Sequence, residues 1–123
     1  MGNMHLLHDL PPKPVWEGVA ARIVEGERIT LAVMELDPDT LVPEHSHQNE
    51  QIGIVVTGSI RFTVDGEEQE LGPGGSWRIL SGVPHEALSG PSGAVVVDVF
   101  SPIRSDWRDI EDEEPRIAPW PPA

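Results

Sequence analysis

The sequence contains no cysteine, which removes disulfides, thiolate metal sites and cysteine nucleophiles, and leaves the redox compartment unread. Basic residues are scarce too: 8 Lys and Arg stand against 21 Asp and Glu, for a formal net charge of -13 and a pI near 4.5. No nucleic acid and no anionic membrane is expected as a partner, because both select a basic footprint. No apolar run approaches the roughly 20 residues of a membrane span. The first 14 residues lack the basic start and apolar middle of a signal peptide, so a cytoplasmic location is expected. Between Val15 and Phe100 there is also no long helical period. Chemistry is left to histidine, carboxylates, arginine or a metal.

At 123 residues the chain has the length of one domain. Short segments rich in β-branched residues alternate with turn signals, an all-β pattern. Strands are expected at 18–25, 28–36, 42–47, 51–57, 59–64, 67–71, 76–80, 85–88 and 94–100. Gly26-Glu27, Asp37-Pro38-Asp39, Asp65-Gly66, Gly72-Pro73-Gly74-Gly75 and Gly90-Pro91-Ser92-Gly93 punctuate them as turns. Such spacing predicts a sandwich or barrel. Residues 1–14, with Pro11, Pro12 and Pro14, read as an extended arm that either lies along a sheet or is loose. Residues 15–104 form the barrel, and residues 105–123 a short helical turn followed by an acidic, proline-rich tail. Whether Trp107 and Trp120 pack or dangle stays open at this level.

The strongest chemical signal is His45-Ser46-His47, two imidazoles on alternate residues of an expected strand and hence on one face. The same parity carries Asn49 and Gln51 onto that face and turns Glu50 away, unless a turn between strands resets it. Gln51 is thus favoured as a further ligand. His85 follows Ser81-Gly82-Val83-Pro84, a turn that can drop it onto the start of another strand beside the pair. His5 and His8, in the arm, read as ordinary surface residues. Asp98 and Phe100 share a face of the last strand. Either Asp98 points inward, paired with a cation such as Arg104 or a metal, or it points to solvent while Val95, Val97 and Val99 form the core. Trp77 reads as core, with Arg78 on the solvent side.

Over nearly all of residues 15–100 the chain resembles the cupin superfamily. His45, His47, Gln51 and Gly58 fit the spacing of the first cupin motif, and Gly74, Gly82 and His85 fit the second. Three positions depart from those motifs: Gln51 stands for Glu, Leu80 for Pro and Ser89 for Asn. The resemblance implies a single jelly-roll-like β-barrel binding one divalent transition metal, Ni, Zn, Fe, Co or Mn, through His45, His47, Gln51 and His85. Imidazole and amide oxygen suit all five. With no carboxylate ligand the ion keeps its full charge, so the site should prefer an anionic ligand.

Asp98, Phe100 and Arg104 sharpen the resemblance, being spaced as in the small pectin-degradation cupins that open the ring of 4,5-unsaturated uronates. That family implies a metal-dependent ring-opening enzyme acting on a small anionic sugar from pectin or alginate breakdown. Asp98 would move the proton, Arg104 would clamp the carboxylate in fork geometry, and Phe100 would wall the sugar ring. It also implies a homodimer joined through edge strands or the proline arm. An iron-dependent oxygenase and a sugar-binding or sensing module are the rival readings; the first gives Asp98 and Arg104 no clear role.

Overall fold

The structure, a computed structural model, describes residues 2–122. Met1 and Ala123, the outermost residues of the expected arm and tail, lie outside it. Eight strands run in order among the described residues: β1 (Lys13–Trp16), β2 (Val19–Glu25), β3 (Thr30–Leu36), β4 (Leu41–His45), β5 (Glu50–Val64), β6 (Glu67–Leu71), β7 (Ser76–Ile79) and β8 (His85–Ser101). All pairings are antiparallel, with β1-β2-β3-β8-β5-β6 as the main path, β4 on β8 and β7 on β5.

Two strands were expected as pairs of short ones and are each continuous. β5 and β8 run side by side from Val64 opposite His85 to Glu50 opposite Ser101. Each changes its other neighbour half-way. The first half of β8 pairs with β4 and its second half with β3, while β5 pairs with β7 early and β6 late. Two layers result, hinged through the shared pair, and the core lies between them: Val19, Leu36, Val55, Ile60, Phe62, Trp77, Ile79, Ala87, Ala94 and Val96. The fold is the expected all-β, cupin-like barrel.

The run Gly90-Pro91-Ser92-Gly93 is therefore not a hairpin turn but the corner at which β8 passes from one layer to the other. The register slips on either side of Gly58, which faces Ala94. Gly58 and Gly93 both have positive φ (76° and 73°), and a Cβ on Gly58 would collide with the Gly93 carbonyl. Glycine signals here a bulge with close backbone approach rather than chain reversal.

The ends pack. Lys13–Trp16 joins the sheet as β1, so the expected arm ends inside a strand; a 3-10 turn covers Leu7–Asp9. The expected helical turn is a 3-10 turn at Ser105–Trp107, with Trp107 buried against Phe100. Farther on, Ala118 is buried and its N–H donates to His8 Nδ1. Arg22, only 1% exposed, donates to Glu35, to the Leu10 carbonyl and to the Arg116 carbonyl, and Arg116 also pairs with Glu35. Both terminal segments are thus stapled to the outer face of β2 and β3.

Candidate metal centre

Strand register, rather than the helix-free loops, assembles the site. His45 ends β4 directly opposite His85, the first residue of β8. His47 lies beyond the end of β4, not within a strand as expected, yet its ring still turns inward: centroids are 5.7 Å from His45 and 4.8 Å from His85, and His45 to His85 is 4.3 Å. One ring atom of each lies within 4.8 Å of the others, a group that can hold a metal ion.

The hydrogen bonds aim these rings. Each Nδ1 rests on a backbone carbonyl two residues away: His45 on Pro43 (2.8 Å), His47 on Asn49 (2.9 Å) and His85 on Val83 (2.9 Å). A carbonyl only accepts, so each Nδ1 carries the proton and each Nε2 keeps its lone pair. His85 Nε2 is buried without a hydrogen-bond partner among the described residues. Burial also lowers the pKa of His47 and pushes that of His85 down to about 4, so neither ring favours a second proton.

Gln51, on β5, completes the pattern. Its Nε2 donates to Asp98 Oδ1 at 3.0 Å, which turns Oε1 toward His47 Nε2 at 3.1 Å. An amide oxygen and a ring lone pair then face each other, an arrangement that a cation between them would satisfy. The orphaned His85 nitrogen and this pair of facing acceptors both fit a bound metal, with His45, His47, His85 and Gln51 as the residues to hold it.

Behind Gln51 lies Asp98, inward-facing and 2% exposed, while Val99 on the same strand faces out. Gly53 explains how a carboxylate is tolerated there. It is the register partner of both Asp98 and Trp77, and a Cβ on it would strike the Asp98 carboxylate and the Trp77 ring. Without that Cβ, Trp77 Nε1 donates across the gap to Asp98 Oδ1 at 2.8 Å. Burial pushes the Asp98 carboxyl up to about 6, against the opposing pull of the Gln51 and Trp77 donors and of the Arg104 charge. Among the described residues Oδ2 has no hydrogen-bond donor, and Asp98 lines the cavity.

That cavity has a volume of about 330 Å³. The three histidines, Gln51 and Asp98 lie on its wall with an apolar floor that includes Leu36, Ile60, Phe62 and Val96. Arg104 closes one side, its guanidinium 4.0 Å from the Trp107 ring centre and 4.8 Å from that of Phe100. The sequence reading had its fork clamping a substrate carboxylate, but Nε and Nη2 are bonded instead to the two oxygens of Asp106 at 3.0 and 2.9 Å. The pair holds the Asp106 carboxyl below its ordinary pKa. Among the described residues Nη1 has no hydrogen-bond partner.

Sequence reasoning missed several neighbours. Trp77 is core as expected, but its bond to Asp98 depends on a three-strand row through Gly53. Asn49 does not face the rings; its amide donates to the Pro102 and Ile103 carbonyls and braces the approach to Arg104. Asp106 and Trp107 sat in a segment whose order was undecided. A glycine within a β-branched strand was the available signal for the first of these.

With this geometry in place, the similarities to known proteins become informative. The cupin domain family matches residues 32–100, more than half of the chain. The chain belongs to the cupin family. Pectin degradation protein KdgF of Dickeya dadantii is 24% identical over 101 residues, 80% of this chain and 92% of that protein. The solved structure of KdgF from Halomonas sp. superposes with a TM-score of 0.79 at 26% identity, over 86% of this chain and 98% of that one. The HTH-type transcriptional regulator PuuR of Escherichia coli is 33% identical over 82 residues, but this cupin spans only 44% of its length. The chain is thus a cupin close to pectin-degradation KdgF, with three histidines able to hold a metal that the donor set does not identify.

Proposed function

We propose that this cupin is a metal-dependent isomerase that opens the ring of 4,5-unsaturated uronate monosaccharides derived from pectin or alginate. One observation carries the reading: a buried carboxyl with one free oxygen shares a single cavity with three converging imidazoles and an arginine. The likeness to KdgF, over 80% to 86% of this chain and more than 90% of the KdgF chains, supports the substrate class.

The reaction is internally balanced. The hemiacetal hydroxyl loses its proton, the C1–O5 bond breaks as C1 becomes a carbonyl, and the released enol takes a proton at C4 as C5 becomes a ketone. Asp98 is the residue to carry that proton, since it lines the cavity, its Oδ1 is fixed by Gln51 and Trp77, and its Oδ2 has no donor among the described residues. A divalent ion held by His45, His47, Gln51 and His85 would supply Lewis acidity toward substrate oxygens. Because all four of those groups are neutral, the ion's charge would remain undiminished for an anionic sugar. Arg104, oriented by Asp106 and stacked on Trp107, offers the Nη1 edge to the substrate carboxylate, and Phe100 forms an apolar wall. The acidic surface does not forbid this ligand, because exposed charges are screened beyond about 8 Å at physiological salt.

The test follows the ultraviolet absorbance of 4,5-unsaturated galacturonate with wild type, chelated protein and Asp98→Asn. Wild type should consume the chromophore rapidly; chelation should remove the activity, and Asp98→Asn should lower it by roughly 10²- to 10⁴-fold. Loss no faster than the spontaneous rate in wild type would refute the reading. The partial match to PuuR favours a second reading, a sugar-binding module without turnover, which that same null result combined with tight uronate binding would support.

A further inference from the structure

Trp16 is the one large aromatic at the cavity that neither the core nor the reaction above uses. It is 48% exposed, yet it lines the cavity together with its neighbour Val15. Regular alternation would send two consecutive strand residues to opposite faces. Burial along β1 does alternate, with Val15 half-buried and Trp16 exposed, but the strand bulges between Pro14, paired with Ala20, and Trp16, paired with Val19, and both residues border the cavity there. Bulges of this kind re-aim side chains next to functional sites.

The indole is held and left open at once. β1 is anchored to the segment that carries the opposite wall, through Lys13 Nζ to the Ile110 carbonyl (2.8 Å) and to Asp112 (2.9 Å), and through Glu113 N to the Pro12 carbonyl (2.8 Å). The turn after Trp16 is tied down by Asp37 N donating to the Gly18 carbonyl at 2.9 Å. Among the described residues, Trp16 has no aromatic, cationic or hydrogen-bonding side-chain partner, whereas Trp77 has Phe62 and Asp98, and Trp107 has Phe100 and Arg104. A half-exposed indole on an anchored strand at the rim of a cavity is suited to a ligand with an apolar face and polar edges, and the C–H face of a pyranose ring has that chemistry.

We infer that Trp16 is a specificity-determining platform on which the closed sugar ring stacks. The inference rests on the ring-opening reading for its substrate and adds a direction to it. A flat platform holds the cyclic substrate better than the open-chain product, so Trp16 assists capture and does not retain what is released.

Ligand-detected NMR titrations of the full-length protein with galacturonate, methyl galactopyranoside and open-chain galactonate test this, using wild type, Trp16→Ala and Trp16→Phe. Trp16→Ala should weaken both ring sugars about tenfold, as expected for loss of one stacking contact, leave galactonate within about twofold, and be largely rescued by Trp16→Phe. In turnover, Trp16→Ala should raise KM by a similar factor with kcat little changed. Equal loss for ring and chain ligands, no loss at all, or an altered elution volume on size exclusion would overturn the platform, the last by assigning Trp16 to contact with a second copy. Wild type that binds no ring sugar overturns it as well. The two readings separate cleanly: Trp16-dependent ring binding without turnover refutes ring opening and keeps the platform, and turnover indifferent to Trp16→Ala does the reverse.

Discussion

Two buried charged residues, Arg22 and Asp98, are almost equally hidden from water and are treated in opposite ways. Arg22 lies on the outer face of the sheet under the terminal segments, and its Nε, Nη1 and Nη2 each donate to an acceptor at 2.7 to 2.9 Å. Asp98 lies on the inner face, with both of its donors on Oδ1 and none on Oδ2. Nearby, His85 Nε2 has no partner among the described residues. A buried group whose every nitrogen has a partner stabilises one arrangement of the chain, while a buried group held through one atom with another left unpartnered is set up to act on something else. Burial alone does not distinguish the two roles; satisfaction does.

The contrast is broken most forcefully at Arg22. Arg22→Leu should cost about 4 kcal/mol of stability, since it strands the Leu10 and Arg116 carbonyls and strips one partner from Glu35. Metal affinity should stay unchanged, because Arg22 does not line the cavity. Urea denaturation and metal titration of the same variant check both halves. A variant that remains as stable as wild type would remove Arg22 as the clasp of the two termini.

Titration of the metal-free protein sharpens the other side. His85 has a folded pKa of about 4, depressed from 6.5, so its contribution to stability is present above pH 6.5 and lost as pH falls toward 4. Asp98 has a folded pKa of about 6, raised from 3.8, so its contribution is present below pH 3.8 and lost as pH rises through 6. Each is worth on the order of 3 kcal/mol, and between pH 4 and 6 they run in opposite directions. Wild type should therefore show a shallow dependence there. Asp98→Asn, which removes only the falling contribution, should gain on the order of 3 kcal/mol between pH 4 and 6.5, with His47 adding in the same sense. Parallel curves for the two proteins by urea denaturation would count against the coupling.

Much of this was legible from residue spacing, and the limits are physical. His45 and His47 were readable because two residues of separation hardly depend on the rest of the fold, whereas the parity carried onward to Asn49 and Gln51 crosses the break between β4 and β5 and misplaces Asn49. Asp98 was undecidable because Val95, Val97 and Val99 offered an equally apolar alternative face. The Trp77–Gly53–Asp98 row could not be read, since it depends on the register of three strands up to 45 positions apart along the chain (53 against 98). Glycine and proline at 90–93 signalled local geometry correctly but not its meaning, because a corner within a strand and a turn between strands ask the same of the backbone. Trp16 was hidden because no strand was expected before residue 18, and the pairing that brings β1 to the cavity rim depends on its register with β2.

A gentler probe of the unfilled valence is the metal itself. A divalent transition metal that binds only the folded chain, supplied at 100 times its dissociation constant, should raise stability by about 2.7 kcal/mol. His85→Ala should abolish most of that gain, and thermal melts with and without metal read it directly. Equal stabilisation of His85→Ala would place the ion elsewhere, and the orphaned nitrogen would then need another explanation.

The smallest effect belongs to the pair that looks best on geometry alone. Arg108 grips both oxygens of Glu25 through three contacts of 3.0 to 3.2 Å, and Glu25 holds the guanidinium above its ordinary pKa. Both partners are solvent-exposed, and water and salt already supply most of what each offers the other. Arg108→Ala should shift the urea midpoint no more than the scatter of the measurement at physiological salt. If it instead approached the loss expected for Arg22→Leu, bond geometry rather than burial with full satisfaction would be what holds the termini down, and the distinction drawn between Arg22 and Asp98 would lose its basis.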